Sequence, residues 1–142
     1  MAGIRIFRSG DEARVLALWR ECELVVPWND PALDLARKLR DSPEDLLVAE
    51  RDGEIVGTAM VGYDGHRGWI YYLAVDPSCR RAGVGRALVV HGEEVLAARG
   101  CPKVNLMVRG SNAGVIGFYA GLGYERSDVV TLGRRLEVDD TR

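Results

Sequence analysis

The sequence predicts a mixed α/β domain built on a partly antiparallel sheet. Three observations predict it. Strand-like and helix-like segments alternate along the chain. An Asp52-Gly53 pair, a strong hairpin signal, joins two apolar runs. Finally, the apolar run Trp69–Val75 leads through a long helical pattern to a second strand-like run, Lys103–Val108. That is a βαβ crossover, which should be right-handed. At 142 residues the chain is expected to be one domain, 1–142.

The elements follow in order. Ile4 and Ile6 mark a short strand. Ser9 with Glu12 three residues later reads as a capping box. Val15, Leu18, Trp19 and Cys22 then recur at helical spacing on one face. Asp30-Pro31 reads as an N-cap followed by proline at the first helical position. Leu35 and Leu39 give that second helix its apolar side, and Ser42-Pro43 ends it. Leu46–Glu50 and Glu54–Tyr63 are the two hairpin strands, with Gly57 and Gly62 marking a bulge or a close backbone contact. Residues 64–68 form a turn. The near-continuous apolar run Trp69–Val75 reads as a strand buried on both faces. A long helix from Val84 closes at Gly100. Ser111-Asn112 opens a last helix, which Gly123 stops. One or two final strands are expected after Tyr124, including Val129–Leu136, with a frayed polar end at 137–142.

Composition excludes several function classes. The net charge of −2 lacks the basic footprint of a nucleic-acid binder. No apolar run is long enough to span a membrane. Cys22, Cys79 and Cys101 are odd in number and scattered, which argues against a disulfide framework or a zinc site. A reduced, cytoplasmic setting without a metal is the expectation. Glycine is the outlier: 17 of 142 residues, against a usual share of about 7%. Only Gly3 and Gly10 precede residue 53.

Arg80-Arg81-Ala82-Gly83-Val84-Gly85-Arg86 lies between a strand and a helix. A helix N-terminus offers unpaired N–H groups and partial positive charge. Glycines allow close approach, and three arginines attract anions. The chemistry points to a diphosphate. Neither the P-loop nor the dinucleotide fingerprint matches: no Lys-Ser or Lys-Thr follows the glycines, and Leu88 stands where the latter needs glycine.

Arg80-x-x-Gly83-x-Gly85, after Leu73-Ala74-Val75-Asp76-Pro77, resembles the acyl-CoA signature of the GNAT N-acetyltransferase family. Asn112, Val115, Phe118-Tyr119 and Leu122-Gly123-Tyr124 resemble a second family segment. Val115 replaces the usual Ala and Tyr124 the usual Phe. Within the family the chain looks most like the small bacterial YpeA-like acetyltransferases. The segments that carry this are Pro27–Pro31, Gly62–Gly68, Tyr71-Tyr72-Leu73 and Ala98–Lys103. The resemblance implies a GNAT fold: a mostly antiparallel sheet with a splayed parallel strand pair, about 69–75 and 103–108, and helices on both faces.

It also implies acetyl-CoA as cosubstrate. Its pyrophosphate would rest on N–H groups of Arg81, Ala82, Gly83, Val84, Gly85 and Arg86, flanked by Arg80. The pantetheine arm would run beside Leu73, Ala74 and Val75, where an N–H near Leu73 or Ala74 would polarise the thioester carbonyl. Asn112 belongs to the second motif and is assigned to the same binding site. Tyr119 matches the family's general acid; a phenol with a reference pKa near 10 stays protonated at neutral pH. Some members carry a glutamate base where this chain has Met107. Asp64, His66, Tyr71 and Tyr72 are the alternative bases, and alternation puts the two tyrosines on opposite faces. Trp28, Asn29 and Asp30 would wall the acceptor pocket, or else Asp30 only caps a helix.

The expected reaction is direct attack of a primary amine on acetyl-CoA, the amine being a small molecule or a protein or peptide. A non-catalytic acyl-CoA-binding or regulatory module on the same fold is the alternative. A homodimer through the last strands is an expectation of the fold. Neither nucleic acid nor membrane is an expected partner.

Overall fold

The computed structural model describes residues 2–139. Five strands hydrogen-bond in sequence order: β1 (Gly3–Ile6), β2 (Leu46–Arg51), β3 (Glu54–Tyr63), β4 (Gly68–Val75) and β5 (Val104–Leu106). The first three pairings are antiparallel and β4–β5 is parallel. Local chemistry explains the β2–β3 hairpin. Asp52 and Gly53 take positive φ, 52° and 80°, as a twist-matched two-residue turn requires.

The helices are α1 (Glu12–Glu21), α2 (Pro31–Asp41), α3 (Val84–Ala98) and α4 (Ala113–Gly121). Asp30 caps α2 as its sequence suggests, its side chain accepting from Ala32 N–H at 2.9 Å. The expected Ser9 capping box is replaced. A short 3₁₀ turn covers Ser9–Asp11, and Asp11 accepts from Arg8 N–H at 2.8 Å while also binding Arg5. The stronger carboxylate acceptor, anchored by a guanidinium, displaces the serine.

The described residues divide into two compact units, 2–106 with 139, and 107–138. In the first unit the sheet carries a core on each face. Val15, Leu18 and Trp19 of α1 and Leu35 of α2 pack with Val48 and Met60. Each such side chain contributes about 1.5–3 kcal/mol through burial. On the other face α3 presses close to the sheet. A Cβ at Gly57 would meet Leu88 Cδ1 at 2.8 Å and the Ala74 carbonyl at 3.0 Å; one at Gly92 would meet Val61 at 2.9 Å. Close approach thus accounts for Gly57 and for the mid-helix Gly92.

Three expectations are corrected here. β4 is buried on both faces only in part: Ala74 and Tyr72 pack in the α1–α2 core and Ile70 lies in register with Val61 under α3, but Tyr71 is 42% exposed. β5 is three residues long, not six. Asp139, expected in the frayed end, is buried: it accepts from Asp30 N–H at 2.9 Å and pairs with Arg37 at 2.7 Å. The remainder of that end, 140–142, lies outside the described residues.

In the second unit, Asn112 caps α4 by accepting from Val115 N–H at 3.2 Å, and Gly123 takes φ +94° beyond its end. No strand follows among the described residues, so the expected Val129–Leu136 strand is absent. Val129, Val130, Leu132 and Leu136 are 78–95% exposed. β-propensity expresses itself only where a neighbouring edge pairs the backbone, and no ladder includes this segment.

Candidate functional site

The parallel pair parts company early. β5 pairs with β4 only at Gly68–Val104, Trp69–Asn105 and Ile70–Leu106. Residues 71–75 continue with β3 on one edge alone. This is the expected splay, and it leaves the edge of residues 71–75 opposite β3 uncovered by β5.

β4 is also bulged. Its register against β3 shifts between Thr58–Ala74 and Met60–Tyr71, so two residues of β4, Tyr72 and Leu73, oppose Ala59. Tyr72 takes φ +50°, a left-handed conformation that is a genuine outlier for a bulky side chain. The extra residue defeats the alternation expected of the tyrosines. Tyr71 pairs in register with Met60, which belongs to the α1–α2 core. Tyr72 packs against the same core, its ring stacked on Trp19 with centroids 3.9 Å apart. Its hydroxyl donates to Asp34 at 2.6 Å. Burial, with Asp34 as hydrogen-bond acceptor, pushes the Tyr72 phenol well above its ordinary value. Burial likewise raises Tyr71.

From Val75 the chain turns tightly into the glycine loop. Asp76 shapes the turn. Its carboxylate accepts from Ser78 N–H (2.9 Å) and the Ser78 hydroxyl (2.8 Å), and Arg14 binds the other oxygen at 2.6 Å. The Ser78 donors, with Arg14 adding, hold that carboxyl below its usual range. Arg81 and Gly83 follow with φ +68° and +81°. Gly83 is the N-cap of α3 and makes the left-handed step without strain. The first α3 bond is Ala87 N–H to the Gly83 carbonyl, 3.0 Å. The N–H groups of Val84, Gly85 and Arg86 precede it and are left without an intrahelical partner. Arg80, Arg81, Ala82 and Arg86 are exposed, and none of these arginines has an ion-pair partner among the described residues. Donors, dipole and cations converge, as an anionic diphosphate requires.

The other predicted residues fall in three places. Trp28 is 58% exposed, in the connection between α1 and α2 with Asn29, and Asp30 caps α2. Asp64 is consumed by its own turn. It accepts from His66 N–H, Arg67 N–H and Trp69 Nε1, and the Arg67 and His66 amides lower its carboxyl. His66 is exposed. Asn112 and Tyr119 belong to the second unit. Tyr119 is 7% exposed and contacts Phe118 and Tyr124 edge-on, centroids 5.0 and 5.5 Å away. Burial pushes its phenol up to about 12, and its hydroxyl makes no hydrogen bond among the described residues.

Sequence reading missed Thr58. Fully buried, it donates its hydroxyl to the Tyr72 carbonyl at 2.8 Å and accepts from Trp19 Nε1 at 3.0 Å. Only the glycine before it, Gly57, hinted at an irregular strand.

Residues 13–124 match the family model described as the acetyltransferase (GNAT) family. An acetyltransferase of Pectobacterium atrosepticum is 54% identical over 136 residues, 96% of each chain. Among solved structures, the ribosomal-protein-S18-alanine N-acetyltransferase of Escherichia coli superposes with TM-score 0.73. It is 25% identical, over 89% of this chain and 79% of that one. The N-acetylglutamate synthase of Neisseria gonorrhoeae, in complex with coenzyme A and N-acetyl-glutamate, gives TM-score 0.67 at 21% identity. That match covers 83% of this chain and 28% of that one, and shows the fold alone. The chain belongs to the GNAT acetyltransferase family.

Proposed function

We propose that this GNAT-family protein transfers the acetyl group of acetyl-CoA to a primary amine by direct attack in a ternary complex. The observation that carries the reading is the loop 80–86, with its free donors and unpaired arginines, placed directly after the half of β4 that β5 leaves open. The pyrophosphate binds the N–H groups at the start of α3, with Arg80, Arg81 and Arg86 supplying countercharge. The pantetheine arm lies along Leu73–Val75. The family match spans residues 13–124, and so supports reading both units as one acetyltransferase domain.

In the reaction, the amine nitrogen bonds to the thioester carbon and the carbon–sulfur bond breaks. The sulfur leaves with the bonding pair and takes a proton, which we assign to Tyr119 from its position in the second family motif. A phenol held near 12 keeps that proton throughout the physiological range. The attacking amine sheds a proton. Asp64 is a poor acceptor for it, because three donors already occupy its carboxylate. Tyr71 and Tyr72 are protonated at neutral pH. His66 and solvent remain, and solvent suffices for an amine of low pKa. The acceptor is a small-molecule amine or an amine of a protein or peptide.

The test is thiol release from acetyl-CoA across a panel of amines. Tyr119→Phe should lower kcat about a hundredfold, as removal of a general acid does. An unchanged rate across pH refutes the acid assignment. One observation favours a second reading, a non-catalytic acyl-CoA-binding module: Met107 stands where some relatives are expected to carry a basic carboxylate. Tight CoA binding without turnover on any amine would establish it.

A further inference from the structure

We propose that Thr58, Trp19 and Asp34 form a clamp that holds Tyr72 in its left-handed conformation, and that this clamp positions the β4 backbone for acyl transfer. The inference rests on the acetyltransferase reading above and adds three positioning residues to it.

A tyrosine at φ +50° is strained by on the order of 1–3 kcal/mol. Such a conformation persists only where its surroundings over-determine it. Here the carbonyl, the ring and the hydroxyl of the residue are each held separately. The Thr58 hydroxyl donates to its carbonyl at 2.8 Å. The Trp19 ring stacks on its ring, 19° from parallel. Asp34 accepts from its hydroxyl at 2.6 Å. Trp19 also donates Nε1–H to Thr58 Oγ1 at 3.0 Å, which closes the circuit and fixes the direction of the Thr58 proton. The three holding residues come from α1, α2 and β3.

The strain lies beside the proposed acyl site. Tyr72 immediately precedes Leu73 and Ala74, near which one N–H would polarise the thioester carbonyl. The bulge it creates takes Tyr72 and Leu73 out of register before Ala74 rejoins the β3 ladder opposite Thr58. A flat strand in the same place would cost nothing, yet it would keep regular alternation and direct the backbone differently. The peptide group that follows Tyr72 is therefore set by the Thr58 side chain rather than by ladder pairing.

The experiment uses the full chain with acetyl-CoA labelled with ¹³C at the carbonyl. The carbonyl signal is read by NMR and infrared in the bound state, where no acceptor is needed, and kcat and KM are then measured with the amine panel. Thr58→Val keeps the shape and removes the hydroxyl. We expect its bound carbonyl signal to move back toward that of free acetyl-CoA. Its kcat should fall roughly tenfold, less than deletion of an oxyanion donor costs, while KM for acetyl-CoA changes by less than about twofold. Thr58→Ser should restore both. If Thr58→Val does not fold, Tyr72→Phe, which severs only the tie to Asp34, carries the same readouts. A variant that folds and keeps the wild-type carbonyl signal and kcat overturns the clamp, and leaves the acetyltransferase reading intact. Failure of the wild-type protein to bind acetyl-CoA overturns both.

Discussion

The two halves of β4 are built for different purposes. Residues 68–70 are paired on both edges, by β3 and β5, in unbroken register. Residues 71–75 are paired on one edge, bulged, and carry the left-handed Tyr72. The first half resembles any sheet interior. The second leaves one edge outside the ladder where the chain approaches the α3 loop, although its Tyr72 and Val75 carbonyls accept from the side chains of Thr58 and Cys22. One strand is thus paired on both edges for three residues and on one edge for the next five. The difference teaches that the proposed site draws on withheld strand pairing.

Single substitutions can break the comparison at either end. The largest effect is expected at Gly57, opposite Val75 in the open half. In Gly57→Ala the new Cβ meets the Ala74 carbonyl at 3.0 Å, besides Leu88 and Val84. Backbone cannot yield as a side-chain tip does, so the cost should be about 3 kcal/mol, the upper end for overpacking. Acetyl-CoA affinity should fall with it, because Val84 and Leu88 belong to the helix that carries the loop. Thermal unfolding and calorimetry read the two effects. Loss of stability with unchanged affinity would erase the distinction between the halves.

Gly68→Ala tests the closed half. Its Cβ would meet Cys101 Sγ and Leu96 Cδ1 at 2.8 Å, both side-chain atoms able to shift. We expect about 1 kcal/mol of destabilisation and no change in acetyl-CoA affinity. A weakened affinity would show that the two halves are not independent.

The smallest effect is expected at Asp76, where the open half ends. Its folded pKa lies below the unfolded value, so it stabilises at pH above about 3.8 and that contribution is lost as pH falls through the lower, folded value. Asp76→Asn should cost under about 1 kcal/mol at pH 7, since the Arg14–Asp76 pair is partly solvated. The gap in Tm between wild type and variant should narrow progressively on acidification below pH 3.8. A gap that does not narrow at all would mean that charge is not what holds the turn.

Legibility in the sequence tracked the range of the interaction. Asp30-Pro31, Asp52-Gly53, Gly100 and Gly123 act on neighbours a few residues away, and each could be placed from its own segment. The glycine loop was legible for the same reason: its donors, its left-handed step and its arginines are contiguous. Tyr72 was not. Its conformation depends on Thr58, Trp19 and Asp34, which lie 14 to 53 positions upstream and carry no local signal. Asp139 was misread as frayed because its partner Arg37 is 102 positions away. The Val129–Leu136 expectation failed differently. Its residues favour strands, but propensity does not supply an edge to pair with. Nothing in the structure explains Gly114, Gly117 and Gly121.

Gly57, Gly92 and Gly68 also act together as bearings under a lever. A Cβ at Gly57 would strike α3 near its start, at Val84 and Leu88; Gly92 itself rests on Val61 at mid-helix; and Gly68 lies under Leu96 toward the far end. A helix of 15 residues is about 22 Å long. A shim at Gly68 meets only the yielding tips of Cys101 and Leu96, whereas one at Gly57 meets the Ala74 carbonyl as well as the start of the rod. A methyl group placed at Gly57 would thereby shift the end of the rod next to the loop, and with it the height of the proposed anion cradle.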